Sequence, residues 1–169
     1  MKFNSIALKA IYLHEMDRFR RTLAQSLLSP VLSTSLYFIV FGSVIGGYVQ
    51  KIDGISYGSY IVPGLLMLTL LTQSISNTSF GIFFPKFNGT IYEILAAPIS
   101  TLEIVLAFVG AGATKTLIVG VMIFITATLF VEVEVKYPVL MIFLLVLVSF
   151  TFALFGFLIG LMSSNFEQM

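Results

Sequence analysis

Residues 137–166 read YPVLMIFLLVLVSFTFALFGFLIGLMSSNF, a run without one Asp, Glu, Lys or Arg. A helix drawn through it exceeds the hydrocarbon core of a bilayer, which is roughly 30 Å thick and takes about 20 apolar residues at about 1.5 Å rise each. The same signature recurs toward the N-terminus: residues 104–131 hold a single charge, Lys115, and residues 54–85 and 22–50 hold none. Unbroken apolar runs of this length do not fit a transmembrane β-barrel, whose strands are about 10 residues long and alternate apolar with polar side chains. The expected fold is all-α, a polytopic transmembrane helical bundle. Its four spans run at about 27–49, 60–84, 104–131 and 139–162, in a single domain covering 1–169. Pro30 should stand near the head of the first span, where a missing N–H costs little.

Composition agrees with lipid as the solvent. The chain is 58% hydrophobic and 10% charged, with a mean hydropathy of +1.04, whereas soluble domains carry roughly 25% charged residues. A net charge of +1 and no basic run after Arg21 leave no footprint for nucleic acid, which needs clustered Lys and Arg. The chain has no cysteine and one histidine, His14, so neither a metal site nor a cofactor held by this chain is expected. Twenty-one polar-rich residues precede the first span, unlike a cleavable leader, so that span is expected to remain as an anchor.

The leftover charges sit between the runs. Residues 1–21 read as an interfacial amphipathic helix, with Phe3, Ile6, Ala7, Ala10 and Ile11 on one face and Lys2, Lys9 and Arg20 beside it. Between the second and third runs, residues 86–103 carry the largest internal group of charges. Lys2, Lys9, Arg18, Arg20, Arg21 and Lys86 fall on one side of the bundle, against Lys51 and Lys136 on the other. The positive-inside bias therefore puts both termini of this chain in the cytoplasm.

Several constellations bear on chemistry. Thr69, Thr72, Gln73 and Ser76 share one face of the second span at three- and four-residue spacing, with Asn77 beside them. Such a face either hydrogen-bonds to neighbouring helices or lines a path for a polar substrate. Gly42 and Gly46, Gly156 and Gly160, and the series Gly112, Thr116, Gly120 are small-xxx-small pairs that let backbones approach, within one chain or between copies. The segment GAGATKT at 110–116 lacks the glycine that a phosphate-binding loop needs before its lysine and lies in an apolar run, so this chain is not expected to hydrolyse nucleotide. Lys115 is an intramembrane charge. A third span running from about Ser100 exceeds the hydrocarbon core, and Lys115 is expected to snorkel toward the cytoplasmic interface. Glu132, Glu134 and Lys136 alternate with valines, a period that suits a short strand in the outer loop.

The segment from Phe80-Gly81 through Lys86-Phe87-Asn88-Gly89-Thr90-Ile91-Tyr92-Glu93-Ile94-Leu95-Ala96-Ala97-Pro98 resembles the type-2 family of ATP-binding-cassette (ABC) transport permeases. There a glycine-containing turn is followed by an acidic residue, a leucine-rich helix and a proline. Further matches are Arg18-Phe19-Arg20-Arg21, Pro30, Tyr60-Ile61-Val62-Pro63-Gly64 and Asn165-Phe166-Glu167. The resemblance implies a permease subunit of an exporter in the bacterial inner membrane, a homodimer seated on two copies of a separate cytoplasmic ATPase that would bind ATP and Mg. It implies a connector role for the N-terminal helix and a coupling helix over Lys86 to Pro98, with Lys86, Asn88, Gly89, Thr90, Glu93 and Pro98 as coupling residues. The family's usual permease has six spans, so the C-terminal part of the family domain is expected to lie outside this sequence. Two readings need no motor: an ion-conducting pore built from the Thr69 to Asn77 face, and a non-transporting membrane scaffold.

Overall fold

Asn4 opens the first helix, α1 (Ser5–Arg21), by accepting a hydrogen bond from the Ala7 N–H at 3.2 Å through its side chain. Thr22 then serves as joint, closing α1 and preceding α2 (Leu23–Ile39). The computed structural model describes residues 4–41, 51–52, 54–133 and 135–165. Residues 42–49 of the expected first span, with Gly42 and Gly46, lie outside the described residues. A two-residue ribbon pairs β1 (Lys51–Ile52) with β2 (Ile55–Ser56) in antiparallel register, Lys51 opposite Ser56. Then come α3 (Tyr57–Phe87), the short α4 (Ile91–Ala96), α5 (Thr101–Phe130) and α6 (Pro138–Met162). Three of these, α3, α5 and α6, are long and apolar enough to cross a membrane, and α2 is a shorter apolar helix over its described length. The fold is an all-α membrane bundle.

Boundaries follow local chemistry. Helix α5 starts with a capping box in which Ser100 accepts from the Glu103 N–H and Glu103 accepts from the Ser100 N–H. Helix α6 starts with Pro138 at its first position, where the missing N–H would have had no partner. Pro30 does not head α2. It lies buried inside the helix, because the charge-free run already begins at Thr22 and the helix starts with it. The ring leaves the Ser26 carbonyl without its usual i+4 donor. Nor do the described residues after α5 form a strand. Val131 and Val133 pack instead against Phe38, Val62 and Ala127, and the Glu132 carbonyl accepts from the Ser59 hydroxyl at 2.8 Å, so packing and a helix-to-loop bond hold this segment.

Contacts give each helix its direction. Phe38 stacks on Phe130 while Leu27 packs near Val119, so α2 and α5 run the same way. Gly156 lies on Ile75 and Gly160 on Ser79, so α6 runs with α3; Gly112 lies on Thr78 and Gly120 on Leu70, so α3 runs against α5. Helix α5 is the centre, touched by α1, α2, α3 and α6. Three apolar clusters succeed one another along it, around Phe108 and Phe157, around Leu70 and Ile123, and around Phe38 and Ala127.

Helix α6 is built for lipid. Its buried face is small but for Phe157, the rest being Ser149, Ala153, Gly156 and Gly160, while Leu140, Phe143, Leu147, Leu154 and Leu158 are exposed. Without a hydrophobic drive between helices in hydrocarbon, close backbone approach and dispersion hold spans together, and large apolar side chains can face the acyl chains. The small-residue pairs of α5 and α6 are thus used inside the chain, against α3.

Candidate functional site

Glu15 is 2% exposed, in the middle of an otherwise amphipathic helix. Its Oε2 receives the Lys115 Nζ at 2.7 Å and the Arg18 Nη2 at 2.9 Å. The Arg18 guanidinium also lies over the Phe80 ring, 5.5 Å from its centroid, a cation–π arrangement. Gly81 lies alongside the cluster: a Cβ there would stand 3.4 Å from Glu15 Oε2 and 3.8 Å from Arg18 Nη2, in ordinary contact. Lys115, expected to snorkel into water, is instead 3% exposed and held by Glu15. The difference has a plain cause, since a buried ammonium is tolerated when a carboxylate neutralises it, and α1 brings one.

The contacts of α1 are ordered along α5. The Asn4 N–H donates to Glu103 Oε1, Tyr12 donates its hydroxyl hydrogen to Thr114 Oγ1 at 3.0 Å, and Glu15 holds Lys115. Helix α1 therefore runs alongside α5 in the same direction over about three turns. Its packed stripe is Leu8, Ile11, Tyr12, Glu15 and Phe19, whereas Ile6 and Ala10 of the expected apolar face are exposed. The stripe is rotated because Tyr12 and Glu15, polar by type, find partners on α5, Glu15 buried there and Tyr12 half-buried.

A cavity of about 410 Å³ opens where α1, α2 and α3 come together over α5. Arg18, Phe19, Thr22 and Ser26 line one side, Ser76, Asn77, Ser79 and Phe80 the other, and Lys115 joins them from α5. It exists because α2 lies on α5 and scarcely touches α3.

The polar face expected on the second span is present and points away from the core. Thr72 and Ser76 are exposed, and Thr69, Gln73 and Asn77 are half-buried. Their bonds stay within α3: Thr69 donates to the Leu65 carbonyl at 2.9 Å, Thr72 to the Leu68 carbonyl at 3.0 Å, and Asn77 to Gln73 at 3.3 Å. Sequence reasoning passed over the inner hydroxyls Ser74, Thr78 and Ser79, which are buried against α5 and α6. It also passed over Glu15 and Arg18, whose signal was an i,i+3 ion pair in the helix before the spans and an uncompensated Lys115.

At the charged end of the bundle, Lys86 donates to the Leu161 carbonyl at 2.7 Å and the Ser163 carbonyl at 2.8 Å. It thereby binds the end of α3 to the end of α6, where helix carbonyls lack internal donors. Asn88 caps α3 through its N–H to the Phe84 carbonyl, and Gly89 turns the chain at φ +82, a conformation open to glycine. Thr90 precedes α4 and Glu93 stands in its first turn. Helix α4 has no fully buried residue. Ile91 and Ile94 rest on the Phe108 cluster, leaving Tyr92, Glu93, Leu95 and Pro98 exposed. The segment 110–116 is continuous helix within α5, not a loop that could wrap a phosphate. Among the described residues no cluster of three His, Asp or Glu side chains could hold a metal.

Comparison with known proteins fits this arrangement. The model of the ABC-2 type transporter family matches residues 6–169. The chain is 37% identical over 164 residues to the inner membrane transport permease YadH of Escherichia coli strain K12, and equally so to those of Escherichia coli O157:H7 and Shigella flexneri. The alignment covers 97% of this chain and 64% of each relative, so the chain spans somewhat less than two thirds of the length of the curated relatives it matches. No solved structure matches it significantly. Apolar helices joined through small residues, a charged end with an exposed short helix, and a family match over nearly the whole sequence lead to one conclusion: this chain is a membrane protein that belongs to the ABC-2 type transporter family.

Proposed function

We propose that this chain is the membrane-spanning part of a permease subunit in an ATP-driven exporter of the bacterial inner membrane. Nucleotide is hydrolysed on a separate cytoplasmic ATPase, present in two copies, each holding ATP and Mg; the chain itself carries no hydrolytic site. A second copy of the permease completes the transport unit, and both termini of this chain face the cytoplasm. The observation that carries the reading is α4, a short helix held over the charged end of the bundle with Tyr92, Glu93 and Leu95 turned outward. It connects α3 directly to α5, so a push on it moves two spans at once, and the polar face of α3 from Thr69 to Asn77 changes its neighbours as they tilt. A partner that binds one tilt better than the other biases the equilibrium between them.

The test is reconstitution of the full-length permease with its ATPase. Glu93→Lys reverses one charge on the exposed face of α4 and touches nothing in the core, so the complex should insert normally yet lose most of its nucleotide-driven transport. Undiminished transport by this variant would remove the coupling role from α4. A pore built from the polar face predicts instead ion flux through the permease alone, without nucleotide, and a scaffold predicts neither flux nor transport.

A further inference from the structure

Helix α2 diverges from α3 just where α1 ends, and the cavity between them holds an imbalance of charge. Arg18 and Lys115 line it, and the one acidic side chain bonded to either of them among the described residues is Glu15. One net positive charge is left over. Lys115 is nine-tenths and more buried, yet its ammonium has a single acceptor there, Glu15 Oε2, leaving two N–H bonds uncommitted. Arg18 spends one of its five donors on the same oxygen. Around these cations stand hydroxyls of Thr22, Ser26, Ser76 and Ser79 and the amide of Asn77, while Phe19 and Phe80 close the site with apolar rings.

Two cations with donors to spare suit a tetrahedral anion with several acceptor oxygens better than a carboxylate with two, and an arginine fork matches phosphate geometry. The volume, about 410 Å³, is that of a small-ligand site. Its place in the fold says where the anion comes from. Thr22 is the joint at which the chain leaves the exposed basic helix end, Arg20 and Arg21, and enters the apolar run of α2. In membrane-bound helices such a change from basic to apolar side chains marks the boundary at which headgroups lie. Beyond it, Leu28, Leu32 and Leu36 lie exposed along α2, and a second hollow lined by Ser33, Leu36 and Tyr37 follows about 15 Å farther along the helix.

We propose that the cavity between α1, α2 and α3 binds the phosphate headgroup of an anionic membrane phospholipid, with Arg18 and Lys115 on the phosphate and an acyl chain lying along the exposed apolar face of α2. The site is separate from α4 and needs no ATPase for occupancy.

The experiment uses the full-length permease in vesicles of phosphatidylcholine with a minor fraction of phosphatidylglycerol, extracted gently and weighed by native mass spectrometry for bound lipid. Phosphatidylglycerol should be retained in preference to phosphatidylcholine. Arg18→Gln and Ser76→Phe, the second filling the cavity without touching the ion cluster, should each weaken that retention about tenfold, equivalent to about 1.4 kcal/mol. Excess inorganic phosphate should leave the lipid in place; displacement of the lipid by it would uphold the phosphate site and assign it to the free anion. Equal retention of the two lipids by the unaltered protein would overturn the proposal. So would a preference that survives Ser76→Phe, because the lipid would then bind elsewhere.

Discussion

At the scale of single residues, the molecule turns on Glu15. One carboxylate oxygen accepts from two cations, and the other, Oε1, is buried without a partner among the described residues. Glu15→Leu should destabilise the protein by about 3–5 kcal/mol, since it leaves Lys115 buried without its counter-ion. Adding Lys115→Met should restore most of that loss, because an apolar pair of similar volume replaces a buried ion pair with little net change. Thermal unfolding of the four members of this cycle in detergent measures the coupling, and additive effects would show that the pair does not act as a unit. Glycines give a second contrast. A Cβ at Gly156 would stand 2.5 Å from the Ile75 carbonyl oxygen, part of a backbone that cannot turn aside, whereas at Gly64 nothing lies within 4 Å. Gly156→Ala should therefore destabilise by about 1–3 kcal/mol. Gly64→Ala should be neutral or stabilising by about 0.5–1 kcal/mol, as alanine relieves glycine's entropy in a helix, and a reversed order in the same melts would mean that α6 does not rest on α3.

At the scale of elements, the long helices were legible because charge is absent, Lys115 apart, from residues 54–85, 104–131 and 137–166, and such runs leave a chain few options but a helix in lipid. The observed α3, α5 and α6 extend the expected bounds by zero to three residues at each end or stop one residue short, since capping and not hydropathy sets the last turn. What hydropathy could not give was partnership. Lys115 read as snorkelling because its counter-charge lies a hundred positions away in a helix whose wheel looked self-sufficient. Lys86 read as a coupling residue through the family resemblance of its segment, and hydropathy gave no sign that it also holds the carbonyls that end α6. The two positions differ in the measurement that reveals their bonds. Lys86→Met removes two charge-assisted bonds from an exposed helix end and should loosen the end of α6, seen as faster amide hydrogen exchange at residues 158–163, with little change in overall melting. Unchanged exchange there would mean that the ammonium adds nothing to that helix end.

At the scale of the whole molecule, α5 is a mast with α1 and α2 on one side and α3 and α6 on another; Tyr12 and Glu15 meet Thr114 and Lys115 halfway along it, and the other links of the charged segments among the described residues fall at one end. Asn4 meets Glu103, Lys86 meets the end of α6, and Ile91 and Ile94 settle on the Phe108 cluster. The opposite end is closed by Ser59 on Glu132 and by Val131 beside Gly58. This polarity was visible in the distribution of Lys and Arg. The depth at which α1 runs beside α5 was not, because it depends on Tyr12 and Glu15 finding Thr114 and Lys115. A coupling role for α4 requires its end of the bundle to face the cytoplasm, and the absence of cysteine from the chain makes that directly measurable. Tyr92 and Tyr137 are 73% and 72% exposed at opposite ends, so Tyr92→Cys and Tyr137→Cys can each be probed with a membrane-impermeant maleimide on intact spheroplasts and after permeabilisation. Tyr137→Cys should be labelled from outside and Tyr92→Cys only once the membrane is opened; labelling of Tyr92→Cys on intact spheroplasts would put α4 on the outer face and leave it no ATPase to bind.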